Sequence, residues 1–284
     1  MKRIVLPTDF SKNAWNAINY ALSIFKGVEC EFFIVNAYQV GSSGLATKRG
    51  RANDTRLFRL MKEQSERELK RLMEKIKEIG DNPKHSFTTF SIADNLVNAI
   101  GKTVYNKEVD YIVMGTKGAS GLKEVFMGSN TYKIINEIDF CPIIAVPDEY
   151  TIKDSINTIV LATGYEHLFE TYELHPLLKL AKLFDAEIWV THAGNPNELT
   201  PQQLASKKVM EKKLKSVKHK FVEVEKGSSI HSAIQKTVEE NKDVDMVAMI
   251  NYGHGFFEKL THEAVIKKVS FNTQVPFLVM HLFE

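Results

Sequence analysis

The run Met114-Gly115-Thr116-Lys117-Gly118, followed by Met127-Gly128-Ser129-Asn130, sets three glycines in the spacing G-x2-G-x9-G-S. Glycine removes the β-carbon from backbone that must come close to a ligand, and it accepts torsions that other residues avoid. Gly128-Ser129 opens a helical pattern. The first N–H groups of a helix and the positive end of its dipole favour an anion, so phosphate binding is the chemistry this arrangement can do. The spacing is neither the Walker A loop, G-x4-G-K-[ST], nor the dinucleotide fingerprint G-x-G-x2-G. A turn with a capping glycine is the simpler reading of the first two glycines; the Gly-Ser pair at a helix start argues against it. Asp9, directly after the first apolar run, is either a favourable charge near a helix N-terminus or a ligand-binding carboxylate. Lys117 either neutralises a phosphate or stands solvated, as most lysines do.

These residues need a framework, and the chain repeats one. The run Ile4-Val5-Leu6-Pro7-Thr8-Asp9 returns as Ile159-Val160-Leu161-Ala162-Thr163-Gly164, and Glu31–Ala37 returns as Glu187–Ala193. Val109–Met114 returns as Val244–Met249, and Cys141–Val146 as Val275–Met280. Four landmarks in one order imply duplicated domains rather than a solenoid, whose repeats are far shorter. The polar stretch Asp148–Ser155 marks the boundary, giving domains 1–150 and 151–284. Short Val- and Ile-rich runs read as strands buried on both faces. Helical spacing lies between them: Ala14 to Phe25, Leu57 to Ile76, Leu96 to Val104 and Ser129 to Ile138, with Phe87–Ile92 as a further strand. In the second half, helices are expected near Leu174–Phe184, Pro201–Val217, Ser229–Asn241 and Glu263–Phe271. This alternation predicts an α/β fold: two tandem open parallel five-stranded sheets, Rossmann-like, with helices on both faces. Ligands in such sheets bind where strands end at their carboxyl edge, so the loops after strands are the candidate sites.

Composition limits the function classes. The 284 residues hold 37 Lys+Arg against 35 Asp+Glu, a net charge of +2, and dedicated nucleic-acid binders carry a larger basic excess. No apolar stretch is long enough to span a bilayer. The start, MKRIVLPTDFS, has only a short apolar run before Pro7, too little for a secretory signal. A cytoplasmic location is expected. The two cysteines, Cys30 and Cys141, lie in or beside apolar runs and read as buried free thiols. Gly41-Ser42-Ser43-Gly44, followed by Lys48, Arg49, Arg51 and Arg56, reads as a flexible basic loop. It is either a solvated connection, a lid over phosphates or a docking site for an acidic partner.

Residues 1–147 closely resemble the universal stress protein family, and 156–284 do so in outline. The resemblance rests on PTDFS after the first strand, VMGTKG after the fourth, the spaced Gly-Ser and CPIIAVP at the fifth. It implies ATP as ligand, with or without Mg2+, and an adenine nucleotide as the principal partner. By the same resemblance Asp9 and Ala37 hold the adenosine end, Gly115 and Gly118 line the ribose and phosphates, and Gly128, Ser129 and Asn130 hold the phosphates. It further implies pairing through the last strands, which a duplicated chain satisfies as an internal pseudo-dimer, with a homodimer as an additional arrangement. In the second half Asp9 aligns with Gly164, Gly115 with Ile250, Gly118 with Gly253, Gly128 with His262 and Ser129 with Glu263. A Glu at that helix start repels phosphate, and Ile250 puts a branched side chain where backbone should meet ligand. That half is expected not to bind. His192, His254, His262 and His281 show no metal-ligand spacing and read as surface or core histidines; Phe256-Phe257 reads as a packing pair.

Three functional classes follow. The leading one is a nucleotide-dependent stress-response or signalling module. An enzyme is the second, limited to slow ATP hydrolysis, since no activated nucleophile or general base is visible. The third is a scaffold without nucleotide, against which stands the full glycine set in one half beside its loss in the other.

Overall fold

Ile4, Val5 and Leu6 are completely shielded from solvent, as are Ile112, Val113, Ile143 and Ile144. Such β-branched and aliphatic runs form strands that bury both faces, which requires helices above and below the sheet. A computed structural model describes residues 1–39, 48–116, 127–193, 198–224, 230–251 and 274–281, and has that architecture. The first half runs β1 (Lys2–Pro7), α1 (Lys12–Ile24), β2 (Cys30–Ala37), α2 (Lys48–Ile79), β3 (His85–Ile92), α3 (Leu96–Lys107), β4 (Tyr111–Gly115), α4 (Ser129–Glu137) and β5 (Ile143–Val146). The second runs β6 (Thr158–Ala162), α5 (Thr171–Phe184), β7 (Glu187–Ala193), α6 (Pro201–Leu214), β8 (His219–Val224), α7 (Ile230–Glu240), β9 (Met246–Asn251) and β10 (Phe277–His281).

The strand order is β3-β2-β1-β4-β5-β10-β9-β6-β7-β8. Each half is parallel throughout, and β5 meets β10 antiparallel, with Ala145 opposite Phe277 and Ile143 opposite Val279. The two expected sheets are therefore one continuous sheet of ten strands. The last strands of both halves are apolar and would be bare edges apart, so pairing them covers both. Right-handed crossovers put α1 and α2 on one face and α3 and α4 on the other. Consistent with this, the Lys75 ammonium of α2 lies 3.8 Å from the Trp15 ring centre of α1. Across the junction the Tyr111 hydroxyl donates to the Pro176 carbonyl at 2.9 Å, and the Phe25 and Phe184 rings are 5.8 Å apart.

The duplication extends to hydrogen bonds. Asp110 accepts the Arg3 N–H and the Lys2 ammonium at the start of β1. Asp245, at the same place in the second half, accepts the Asn157 and Thr158 N–H groups and the Lys153 ammonium.

Three expectations need correction. Lys48, Arg49, Arg51 and Arg56 belong to α2 rather than to a loop: helix propagation from the strongly periodic part downstream is favourable once a nucleus exists, and it runs through Gly50. Strand β8 stands where the sequence reading named none, because an edge strand needs no apolar run. The C-terminal turn expected at Lys215–Val217 lies outside α6. Lys117, Gly118, Gly41–Gly44, Gly253, His254, Phe256, Phe257, His262 and the helix expected at Glu263–Phe271 lie outside the described residues. Among those described, no helix is long and apolar enough to cross a membrane.

Candidate functional site

The carboxyl edge of β1, β2 and β4 gathers the candidate residues. After β1, the Thr8 N–H donates to the Val35 carbonyl, and the Thr8 hydroxyl accepts the Phe10 N–H at 3.0 Å. Phe10 takes a left-handed conformation, φ 63°, and the buried Asn36 amide donates to the Thr8 carbonyl at 2.7 Å. This fixed turn presents Asp9, which is exposed, with one carboxylate oxygen accepting the Ser11 N–H at 3.0 Å. A carboxylate can accept about four hydrogen bonds, and hydroxyl and amine groups are the donors it suits. Ser11 then caps α1 by accepting the Ala14 N–H.

Gly115 ends β4, and its carbonyl accepts the buried Thr131 hydroxyl at 2.8 Å. The chain leaves at Thr116, whose N–H donates to Val146, and returns at Gly128, whose N–H donates to the Thr116 carbonyl at 2.7 Å. Gly128 is the N-cap of α4 and offers that helix no side-chain cap of its own. Serine, threonine, aspartate and asparagine are the usual N-caps, so a glycine here contributes no side-chain acceptor to the first N–H groups of α4. Gly128 has φ −67° and ψ 154°, ordinary extended backbone, so its torsions do not require glycine. What its missing β-carbon offers is approach.

Ala37 is the last residue of β2, paired with Ile92 of β3. A cavity of about 490 Å³ brings Ala37 together with Asn130 and adds Gln39, Asp94, Asn95 and Lys133. Sequence reasoning missed Asp94 and Asn95. Asn95 caps α3 by accepting the Asn98 N–H at 2.8 Å. Asp94 accepts the Lys102 ammonium at 2.8 Å as well as the Asn95 N–H and the Asn98 amide, which together hold its carboxyl below the usual carboxylate range. The Asp-Asn pair before an apolar helical pattern was the visible signal, but it signals a cap rather than a site.

The second half repeats the frame and fills the edge. Thr163 accepts the Tyr165 N–H at 3.0 Å, and Tyr165 is left-handed at φ 55°, matching Thr8 and Phe10. Here, however, the turn carries Gly164 in place of Asp9, and Tyr165 is fully buried. Its ring stacks on His192 with centres 4.8 Å apart. From α6, Gln203 donates to the Gly164 carbonyl at 2.9 Å, and Lys207 pairs with Glu223 at 2.7 Å while lying 5.5 Å from the Tyr165 ring centre. Burial, with Glu223 second, raises the Tyr165 hydroxyl well above the ordinary tyrosine range, so it stays neutral. Ile250, in the place of Gly115, is buried. His192 bonds the Thr163 carbonyl and His281 the Ile135 carbonyl, so both serve backbone groups of the core. Among the described residues no group of three His, Cys, Asp or Glu side chains could hold a metal.

Comparisons with known proteins bear on the family and the fold. Residues 1–147 match the model of the universal stress protein family. "Universal stress protein MJ0531" of Methanocaldococcus jannaschii is 28% identical over 145 residues, 51% of this chain and 81% of that protein. The crystal structure of a universal stress protein from Archaeoglobus fulgidus superposes with a TM-score of 0.67, covering 98% of this chain and 96% of that one at 20% identity. A universal stress protein solved in complex with cAMP aligns with 51% of this chain and 95% of its own, at 16% identity and a TM-score of 0.32.

Proposed function

The chain belongs to the universal stress protein family, and from that premise we propose that its first half binds one adenine nucleotide, ATP in the first instance, as the ligand of a stress-response or signalling module. The observation that carries the reading is the glycine at the N-terminus of α4. The helix starts beside the end of β4, at a Gly128 whose N–H donates to the Thr116 carbonyl and which brings no capping side chain of its own. Anions bind such termini because dipole and unpaired donors act together. The phosphates belong there, on Gly128, Ser129 and Asn130, with the Gly115 backbone alongside. The adenosine belongs toward Ala37 and Asp9, with Asp9 accepting from its hydroxyl or amine groups.

The proposal treats residues 1–150 as the binding domain and 151–284 as a partner domain without the site. In the latter, Tyr165, in the place of Phe10, is buried with its ring on His192 and near Lys207. Any effect of the ligand on conformation is limited to its differential affinity for the states it shifts between. Asp9→Ala tests the adenosine end. Loss of a hydrogen bond to a charged group is worth about 1.5–3 kcal/mol, or about 10- to 150-fold in affinity. ATP affinity unchanged in this variant would refute the assignment.

A further inference from the structure

His281, the last residue of β10, reaches across the junction between the halves. Its Nε2 lies 2.6 Å from the Ile135 carbonyl of α4, and the ring is buried. That carbonyl stands in the last turn of a nine-residue helix. The chain leaves the helix at Ile138, with φ −114° and ψ 90°, where the Ile138 N–H serves Ile134. The final carbonyls of a helix lack partners of their own, and the histidine supplies one. A carbonyl only accepts, so Nε2 carries the proton of this bond, and among the described residues buried Nδ1 has no hydrogen-bond partner. Burial favours the neutral ring by lowering the imidazole below its ordinary range; the Ile135 carbonyl and Asp139 act in the opposite sense.

The contact runs in one direction. The residue that corresponds to His281 in the repeat is Pro147, directly after β5, which has no donor in side chain or backbone. The half that lost the glycine set thus supplies a cap to the half that kept it. The capped helix is the one whose other end forms the proposed phosphate site, two and a half turns away.

We propose that His281 is a positioning residue for nucleotide binding: by capping the C-terminus of α4 from the second half, it holds the N-terminus of the same helix in register with the end of β4. This rests on the nucleotide reading above. It gives the degenerate half a role in binding, as a support that completes the phosphate helix rather than as a second site.

The test uses the full chain with His281→Met, which keeps length and apolar volume without a donor, and His281→Gln, whose amide nitrogen reaches about as far as Nε2. Affinities for ATP and adenosine are measured by calorimetry, and amide exchange in α4 by mass spectrometry. His281→Met should weaken ATP about tenfold, the scale of one net hydrogen bond. It should leave adenosine within about twofold, and should speed exchange in α4. His281→Gln should restore both. ATP bound equally by wild type and His281→Met, or ATP and adenosine weakened alike, overturns the inference while leaving the nucleotide site intact. Wild type that binds no ATP, with α4 exchange still faster in His281→Met, refutes the nucleotide reading and retains only the cap.

Discussion

Replacing Gly128 by Asp should push stability and binding in opposite directions. The residue already has the extended backbone of an N-cap, φ −67° and ψ 154°, so aspartate enters without torsional strain. Its N–H bond to the Thr116 carbonyl is kept. The new carboxylate accepts from the first N–H groups of α4, to which residue 128 now offers no side chain, and it complements the helix dipole. Glycine is itself a tolerable N-cap, so the gain is a few tenths of a kcal/mol from the cap. About 0.3–1 kcal/mol comes from the charge. The sum is close to 1 kcal/mol, or roughly 2–4 °C in melting temperature for a chain of this size. The same carboxylate fills the proposed phosphate position and repels what should bind there. Losing two charge-assisted hydrogen bonds removes about 3 kcal/mol or more, at least 100-fold in ATP affinity. Thermal denaturation and calorimetry on the same samples read both quantities. A protein that is more stable and binds ATP as before would show that phosphates do not sit on α4, and the site assignment would fail.

Other consequences concern the frame. Asp245→Ala removes the acceptor for two backbone N–H groups and the Lys153 ammonium, at a residue 1% exposed. It should cost about 3 kcal/mol in urea unfolding; a cost under 1 kcal/mol would contradict the role given to this carboxylate. Burial pushes the Cys30 thiol up to about 11 and drives Cys141 higher still. Fewer than about one Cys30 in a hundred is then thiolate at pH 8, and both thiols should resist alkylation until the chain unfolds. Rapid labelling of either in the native state would refute this. His281 has its folded pKa lowered from an ordinary 6.5. The unfolded chain therefore binds the extra proton as pH falls through that value. The stability tied to the neutral ring is present above about pH 6.5 and is lost below it, toward the folded pKa. The slope of stability against pH in that window should be smaller in His281→Gln than in wild type, and equal slopes would contradict the burial argument.

How much of this was legible in the sequence depends on where each residue's partners lie. Strands covered on both faces are written as unbroken apolar runs, so β1, β2, β4, β5 and their counterparts could be read directly, along with their order. β8 could not: at the edge of the sheet His219, Lys220 and Glu223 interrupt it, and none of its residues is fully buried. The first turns of α2 resemble a loop because Gly50 and clustered basic residues obscure a helix that propagates from its periodic part. The glycine motif was visible as spacing, but its place as the N-cap of α4, with ordinary torsions, was not. Asp94 and Asn95 became part of the site only when the fold set them beside Ala37 and Asn130. The sequence leaves His281 as a surface or core histidine, because its partner, Ile135, is 146 residues away.

The most direct measurement of the central claim is the number of nucleotides bound per chain. Titration of the full chain with ATP should saturate at one equivalent, and Gly128→Asp should abolish the heat signal. Two equivalents per chain would show that the edge closed by Tyr165 and His192 opens to ligand. No binding at millimolar ATP would remove the nucleotide from the account altogether.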